Sequence, residues 1–511
     1  MLKISDYVFM MLSFFSIMVF YLVFSGTLST NLGIYNTLDS IELPKHYSQE
    51  EEYRVEEPVF AVICGNQETS EKTQNIVRMI AGLKKEYAVF STVDQIGEQQ
   101  VDRITTIVIT ADNWGEIGNK DLLIQYAEEK GKNLIFTDIM KEETEEYNRI
   151  IGILKNEGSA RIEGLMIFEG MFIQGMVYYD DLEMEVSNIA VDARCKKLIV
   201  EKTKNQKEQR DLIPLLWEKR YGKGCFYTVN GDFLATESGI GIFNGIIAQI
   251  EDTFIYPVVN AKAELLDSFP ELDNPYEDEI KNMYSRDTNM FICDIVWPTV
   301  VKLGESNKLI FSTRLNYPVE EKDQLNYKYL TEMMRKRSYE VDDSFSDNEW
   351  EIPYVSSGHK RSENEILKMQ SAISGQGLAT HYLDMSEIMG KNANDKDYEW
   401  SSYSLELSKL MHDLYKETDW IDTMTVSQAE ERYKRYLFIH PEIEKNGKEI
   451  SIKTNNFFDV CYYVIRTEKT VLPGDNYEVT KIGENAYLIE VLRDNISIQL
   501  RESTKKTQNE V

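Results

Sequence analysis

The chain has 511 residues and a formal net charge of −30 at pH 7. This charge excludes nucleic acid as a natural partner, because the phosphate backbone would repel the protein. Hydrophobic residues make up 42% of the chain, which is ample for packed cores, and the length predicts roughly two to four domains.

The first element is an apolar run from Tyr7 to Phe24, YVFMMLSFFSIMVFYLVF. At about 1.5 Å rise per residue, a helix over this run is as long as the hydrocarbon core of a bilayer. We therefore predict one transmembrane anchor over residues 1–26, in preference to a cleaved signal peptide. Lys3 precedes the run and acids follow it, so we expect a single-pass protein of the cell membrane, with its N-terminus cytoplasmic and its later domains extracellular.

We interpret the acidic segment over residues 27–56 as a stalk. An α/β domain is predicted over residues 57–250. Within it, apolar strand-like runs alternate with helical patterns, which predicts a parallel sheet covered on both faces. The clearest strands are at 58–65, 104–110 and 133–138, with a helix at 119–131 and two strands joined by a glycine turn within 211–233.

The remainder of the chain divides at residue 438. A second mixed α/β region is predicted over 251–438. From residue 439 to 511 the sequence changes to short alternating strands, which are typical of a small antiparallel β-sandwich, followed by a polar tail. These strands read EISIKT, CYYVIRT, NAYLIEV and NISIQL.

The five cysteines are odd in number and far apart, which favours buried free thiols over a disulfide framework. Cys64 follows the first strand, where α/β sheets place functional groups. A thiol nucleophile needs a base, however, and no histidine occurs between His46 and His359. The glycines of GIGIFNG (239–245) have the wrong spacing for a dinucleotide-binding loop, so tight helix packing is the better interpretation.

The five histidines include no two separated by three, four or five residues, so the sequence has no helical metal-binding pair of the HxxxH type. A discontinuous metal site formed by Asp267, His359 and His381 is geometrically possible, but no sequence spacing supports it. We therefore predict neither a bound metal nor a cofactor.

Asp267 ends an apolar strand in LLDSFPELDNP, ahead of a proline-bearing loop. Barrel enzymes place catalytic carboxylates at this position. Alternatively, the carboxylate caps the backbone of the loop. Spacing alone favours the second interpretation.

Four stretches of the second region carry a family resemblance in their order along the chain. They are YPVVNAKAELLDSFPELDNP, DIVWPTVVKLGESNKLIFSTRLNYP, EIPYVSSGHKRSENEILKMQSAISGQGLATHYLDM and YKETDWIDTMTVSQAEERY. Residues 251–438 resemble an uncharacterised bacterial family related to polysaccharide deacetylases, including the deacetylase component of Pel-type exopolysaccharide systems. The resemblance implies a (β/α) barrel here, and a flavodoxin- or amidotransferase-like fold for residues 57–250.

The departures from this family concern its metal site. In these deacetylases a first aspartate acts as base, a second binds a divalent metal, and an HxxxH motif adds two ligands. Asp267 matches the first aspartate, Ser268 replaces the second, and the HxxxH motif is missing. A hydroxyl is a poor substitute for a carboxylate on Zn²⁺, so the resemblance implies a degenerate barrel that has lost its catalytic metal.

The resulting hypothesis is a membrane-anchored, catalytically inactive deacetylase-like protein in surface exopolysaccharide assembly or binding. Its expected partners are a polysaccharide, in particular a cationic amino-sugar polymer, and subunits of an exopolysaccharide synthase. The rivals are an active deacetylase or glycan hydrolase, and a scaffold of a cell-envelope complex without enzymatic activity. Asp267 is the vestigial catalytic candidate, and the binding candidates are Asp273, Asp294, Trp297, His359 and His381.

Overall fold

The structure is a computed structural model, and it describes most of the chain from residue 59 to 503. The described residues belong to one compact unit, Gln49–Val511. The gaps in the description are 67, 69, 142–143, 204–210, 271–276, 316–318, 320, 343–350 and 387–398.

The described part of the chain contains no helix that is long and apolar enough to cross a membrane. This finding contradicts the predicted single-pass membrane architecture and the location derived from it. The fold class is corrected to a mixed α/β chain with several sheets. The apolar run assigned to the anchor, in residues 1–26, and the stalk, 27–56, lie outside the described residues.

The first part of the chain forms a nine-stranded sheet in the order β2-β1-β3-β4-β11-β10-β9-β6-β7. Its strands are β1 (Phe60–Ile63), β2 (Tyr87–Phe90), β3 (Thr106–Ile109), β4 (Asn133–Phe136), β6 (Leu165–Phe172), β7 (Gly175–Tyr179), β9 (Lys196–Glu201), β10 (Pro214–Tyr221) and β11 (Gly224–Val229). The helices are α1 (Glu71–Gly82), α2 (Glu98–Arg103), α3 (Lys120–Glu128) and α4 (Glu145–Ile151). A separate antiparallel pair is formed by β5 (Ile153–Ile162) and β8 (Met184–Val191).

One half of this sheet is parallel and the other is antiparallel. Strands β1 to β4 pair parallel with one another, and β11 joins them parallel to β4. Strands β1 and β3 are buried along their whole length. Burial on both faces explains why these strands are continuous apolar runs in the sequence. From β11 onward, β10, β9, β6 and β7 pair antiparallel.

The middle of the chain forms a five-stranded parallel sheet in the order β15-β14-β13-β17-β16. Its strands are β13 (Ala261–Asp267), β14 (Phe311–Arg314), β15 (Glu340–Asp342), β16 (Ser356–Ser357) and β17 (Leu378–Asp384). The helices are α5 (Ile240–Ile250), which precedes the sheet, then α6 (Glu277–Tyr284), α7 (Thr288–Phe291), α8 (Trp297–Asn307), α9 (Gln324–Arg335), α10 (Glu363–Gln376), α11 (Trp400–Tyr415) and α12 (Val426–Phe438). In the described residues these strands form an open sheet with β15 and β16 at its edges, and not the degenerate (β/α) barrel that the resemblance implies.

The C-terminal strands form two four-stranded antiparallel sheets around one apolar core. The strands are β18 (His440–Asn446), β19 (Glu449–Asn455), β20 (Cys461–Thr467), β21 (Thr470–Val471), β22 (Tyr477–Gly483), β23 (Ala486–Val491) and β24 (Asn495–Arg501). One sheet has the order β18-β19-β24-β21. The other, β12-β20-β23-β22, includes β12 (Thr253–Val258), which precedes the five-stranded sheet in the chain.

Candidate functional site

The candidate site lies at the carboxyl ends of the central strands of the five-stranded sheet. Strand β13 ends at Asp267, which is in register with Arg314 at the end of β14 and with Asp384 at the end of β17. The chain turns at Ser268, whose φ of 55° lies in the left-handed region. Because parallel strands end at one edge of a sheet, these three strands bring their terminal side chains together.

The Asp267 carboxylate is held by two donors from neighbouring strands. Arg314 Nε donates to Oδ1 at 2.8 Å, and the Tyr382 hydroxyl donates to Oδ2 at 2.7 Å. The Asp267 side chain is 6% exposed and that of Arg314 is 20% exposed. This is a charge-assisted ion pair that is largely withdrawn from water. The hydrogen bond to Asp267 raises the pKa of the Arg314 guanidinium, and this effect outweighs that of burial.

Tyr354 completes this cluster. Its ring lies 5.5 Å from that of Tyr382, and its hydroxyl oxygen is buried without a hydrogen-bond partner in the described structure. Burial raises the pKa of both tyrosines, and the Asp267 carboxylate adds to the effect. Tyr354 therefore keeps its proton at neutral pH and presents an unused donor and acceptor beside the ion pair.

A second polar cluster lies inside the same sheet and is fully buried. The Glu264 carboxylate is bound through Oε1 by His381 Nδ1 at 2.7 Å and through Oε2 by the Tyr415 hydroxyl at 2.6 Å. The other ring nitrogen of His381, Nε2, lies 2.9 Å from the carbonyl oxygen of Gly358. A carbonyl can only accept, so Nε2 donates to it. The carboxylate opposite Nδ1 favours a proton on this nitrogen as well, which would make His381 an imidazolium.

The pKa of His381 is the net result of opposing effects. Burial lowers it, but the Glu264 carboxylate and the Gly358 carbonyl outweigh burial and raise it above the ordinary value of 6.5. Burial and Glu264 also raise the pKa of Tyr415 well above its usual range. Glu264 and Glu365 are the acidic groups that favour the protonated imidazole.

The raised pKa of His381 predicts a pH dependence of stability. The folded chain holds this proton more tightly than the unfolded chain, so its contribution is complete below about pH 6.5 and is lost as the pH rises through the folded-state pKa. We expect the free energy of unfolding, measured by urea denaturation between about pH 6 and 9, to fall more steeply with pH in the native chain than in Glu264→Gln.

The comparison at each pH cancels the contributions of other groups that titrate in this range. Burial lowers the pKa of Lys84 and of Lys262 to about 8, and both lysines are present in the variant. Equal pH slopes for the native chain and Glu264→Gln would contradict a raised His381 pKa.

The binding residues predicted from sequence are spread over different surroundings. His381 lies in the buried cluster, and His359 stacks on Tyr403 with 4.0 Å between the ring centres. Trp297 is buried and packs edge-on to Tyr339, 6.0 Å away. Asp294 is exposed and pairs with Arg286 at 3.1 Å. Asp273 lies outside the described residues.

Cys64 and the glycine segment take structural positions. Cys64 is fully buried, and burial raises the pKa of its thiol, which weakens it as a nucleophile. Gly241 in α5 faces α10, where a Cβ atom on it would lie 2.5 Å from the Ser371 carbonyl oxygen. A Cβ on Gly245 would lie 2.7 Å from the carbonyl oxygen of Met171. These contacts explain the glycines by close packing.

Arg314, Tyr354 and Tyr382 were not identified from the sequence. Arg314 is the last residue of β14, and Tyr382 follows His381 in β17, so both lie within stretches that carry the family resemblance. Their contact with Asp267 depends on which strands flank β13, and no local pattern carries that information.

The comparison with protein families assigns the chain to one of them. Residues 164–341 and 326–488 match the family DUF2194, described as an uncharacterised protein conserved in bacteria. The chain therefore belongs to this bacterial family. A search of curated proteins finds no match.

Solved structures show distant likenesses. The carbohydrate deacetylase Agd3 has a TM-score of 0.47 at 8% identity, over 86% of this chain and 98% of that one. A ThuA-like protein from Bacteroides uniformis has a TM-score of 0.27 at 9% identity, over 40% and 95%. A β-galactosidase from Bacillus circulans sp. alkalophilus has a TM-score of 0.26 at 12% identity, over 39% and 33%.

Proposed function

We propose that the chain is a carbohydrate-binding protein with a deacetylase-like fold and without deacetylase activity. The observation that supports this proposal is the Asp267 carboxylate, which is engaged by Arg314 and Tyr382 at the edge of the five-stranded sheet. The ligand would bind at this edge, over Arg314, Tyr354 and Tyr382.

The ion pair disfavours a catalytic role for Asp267. A general base must be free to take a proton, and its basicity falls when a guanidinium stabilises its charged form. The same guanidinium, 2.8 Å from Oδ1, would repel a divalent cation that approached the carboxylate. The described residues also contain no group of three or more His, Cys, Asp and Glu side chains that could hold a metal ion.

The surroundings of the ion pair suit a sugar. Carbohydrate hydroxyl and acetamide oxygens accept hydrogen bonds, which matches the partly exposed Arg314 side chain as a donor. The two tyrosine rings supply apolar surface for a sugar ring. The class of ligand comes from the sequence resemblance of residues 251–438 to polysaccharide deacetylases.

The net charge of −30 favours a cationic form of this ligand, such as a partly deacetylated amino-sugar polymer. Opposite charges raise the local concentration of such a polymer near the protein, over a range of about 8 Å at physiological salt.

The sharpest test of the proposal is Tyr354→Leu, which removes the aromatic ring beside Tyr382. A ligand whose sugar ring packs on the half-buried Tyr354 side chain should bind about 3- to 10-fold more weakly, because this aromatic surface is lost. Calorimetric titration with partly acetylated glucosamine oligomers measures the affinity, and urea denaturation checks that the variant is folded.

Tyr329→Leu is the matched control, since Tyr329 is 56% exposed on α9 and lies outside the cluster. Unchanged affinity in Tyr354→Leu, or equal losses in both variants, would contradict binding at this edge. Release of acetate by the native chain that is abolished in Asp267→Asn would instead establish an active deacetylase.

A further inference from the structure

A third polar cluster lies between the segments that follow β13 and β14. Asp323, just before α9, is 3% exposed. Its Oδ1 accepts a hydrogen bond from Asn289 Nδ2 at 2.7 Å. Its Oδ2 is buried and has no hydrogen-bond partner in the described structure. The Asp323 side chain does not cap the amides of α9 either, although it stands at the position where a carboxylate could do so.

Two further buried oxygens, on the segment that contacts Asp323, also have no hydrogen-bond partner. Asn289 Oδ1 and Thr288 Oγ1, in the first turn of α7, are buried without hydrogen-bond partners. Thr288 is 3% exposed. Carboxylate and amide oxygens only accept hydrogen bonds, so two of the three unpartnered atoms need a donor or a cation.

A buried carboxylate with a single neutral hydrogen bond is an unstable arrangement. Transfer of an ionised carboxylate out of water is strongly unfavourable unless the charge is compensated. Most buried polar atoms in folded proteins have a hydrogen-bond partner. Three buried oxygens without one, on two contacting segments, therefore indicate a missing partner.

We propose that Asp323, Asn289 and Thr288 form a binding site for a hard cation, and that this cation is Ca²⁺. Carboxylate, amide and hydroxyl oxygens are the donors that Ca²⁺ takes in proteins, completed by backbone carbonyls and waters. A set without sulfur or imidazole does not select zinc. The site differs from the Asp267 cluster, where the guanidinium already neutralises the carboxylate.

The site would tie two connections of the sheet together. Asn289 belongs to the connection between β13 and β14, and Asp323 to the connection between β14 and β15. A cation held by both would fix these segments relative to each other.

The test is thermal unfolding of the full chain, stripped of metal with a chelator and measured with and without CaCl2. At a Ca²⁺ concentration about 100-fold above its Kd, the native chain should gain about 3 °C in Tm. Asp323→Asn should gain nothing. Asp278→Asn, which removes the same charge from an exposed position on α6, should respond as the native chain does. Equilibrium dialysis should give one Ca²⁺ per native chain and none for Asp323→Asn.

The metal-free state separates this proposal from a purely structural carboxylate. Without Ca²⁺, Asp323→Asn should melt at or above the Tm of the native chain, because it removes an uncompensated buried charge. A lower Tm in metal-free Asp323→Asn would show that protein groups satisfy the carboxylate. An equal Ca²⁺ response in all three chains would show general counter-ion binding. Either result overturns the site.

Discussion

Replacing Glu264 with glutamine is expected to lower the free energy of unfolding by about 3–5 kcal/mol. Glu264 and His381 are both fully buried, and the carboxylate is the counter-charge of the imidazolium. The amide has nearly the same shape, so the variant isolates the loss of charge. The imidazole must then stay uncompensated or lose its proton, and either change removes stability. Urea denaturation at pH 6, where the native chain holds the proton, measures the loss.

The control for this variant is Glu305→Gln, which breaks an ion pair of ordinary length at the surface. Arg337 Nη1 and Glu305 Oε1 are 2.8 Å apart, but their side chains are 38% and 65% exposed. Water and salt screen such a pair, so its loss should cost at most about 1 kcal/mol. Similar small losses in both variants would mean that Glu264 and His381 do not form a charged pair.

Replacing Asp267 with asparagine is expected to cost about 2–3 kcal/mol. A carboxylate that only capped the loop at Ser268 would cost about 1 kcal/mol when replaced. The structure predicts the larger loss, because the variant leaves the Arg314 guanidinium without its counter-charge and replaces an acceptor of the Tyr382 hydroxyl. Urea denaturation at neutral pH measures the difference.

Asp294→Asn is the matched control, since the Asp294–Arg286 pair is 55% and 40% exposed. Its loss should remain below about 1 kcal/mol. If Asp267→Asn were no more costly than Asp294→Asn, the Asp267 ion pair would contribute little to the stability of the sheet edge.

The parallel part of the first sheet was predictable because its signal is local. The runs FAVI and TIVI, at β1 and β3, are buried on both faces and therefore lack polar alternation. The turn at Gly222 likewise marks the hairpin between β10 and β11. The antiparallel strands β6, β7 and β9 were not assigned, because their order in the sheet is set by pairings that no local pattern specifies.

The candidate site was likewise predictable only in its local part. Asp267 stands out in the sequence as an acid at the end of an apolar strand. Its partners do not, because strand order alone places Arg314 and Tyr382 beside it. His381 was a binding candidate as one of few histidines, yet its surroundings are a buried ion pair with Glu264. A single sequence distinguishes poorly between a functional and a structural polar residue in a strand.

The pairing of β12 with β20 has a consequence for how the chain is made. Thr253 and Thr467 face each other in this pair and are 214 residues apart. At a synthesis rate of about 5–20 residues per second, β12 leaves the ribosome about 10–40 s before its partner exists. All six of its residues are buried in the finished fold, so during that interval an apolar strand has an unpaired edge. The N-terminal sheet can assemble during translation, whereas the sandwich must wait for almost the entire chain.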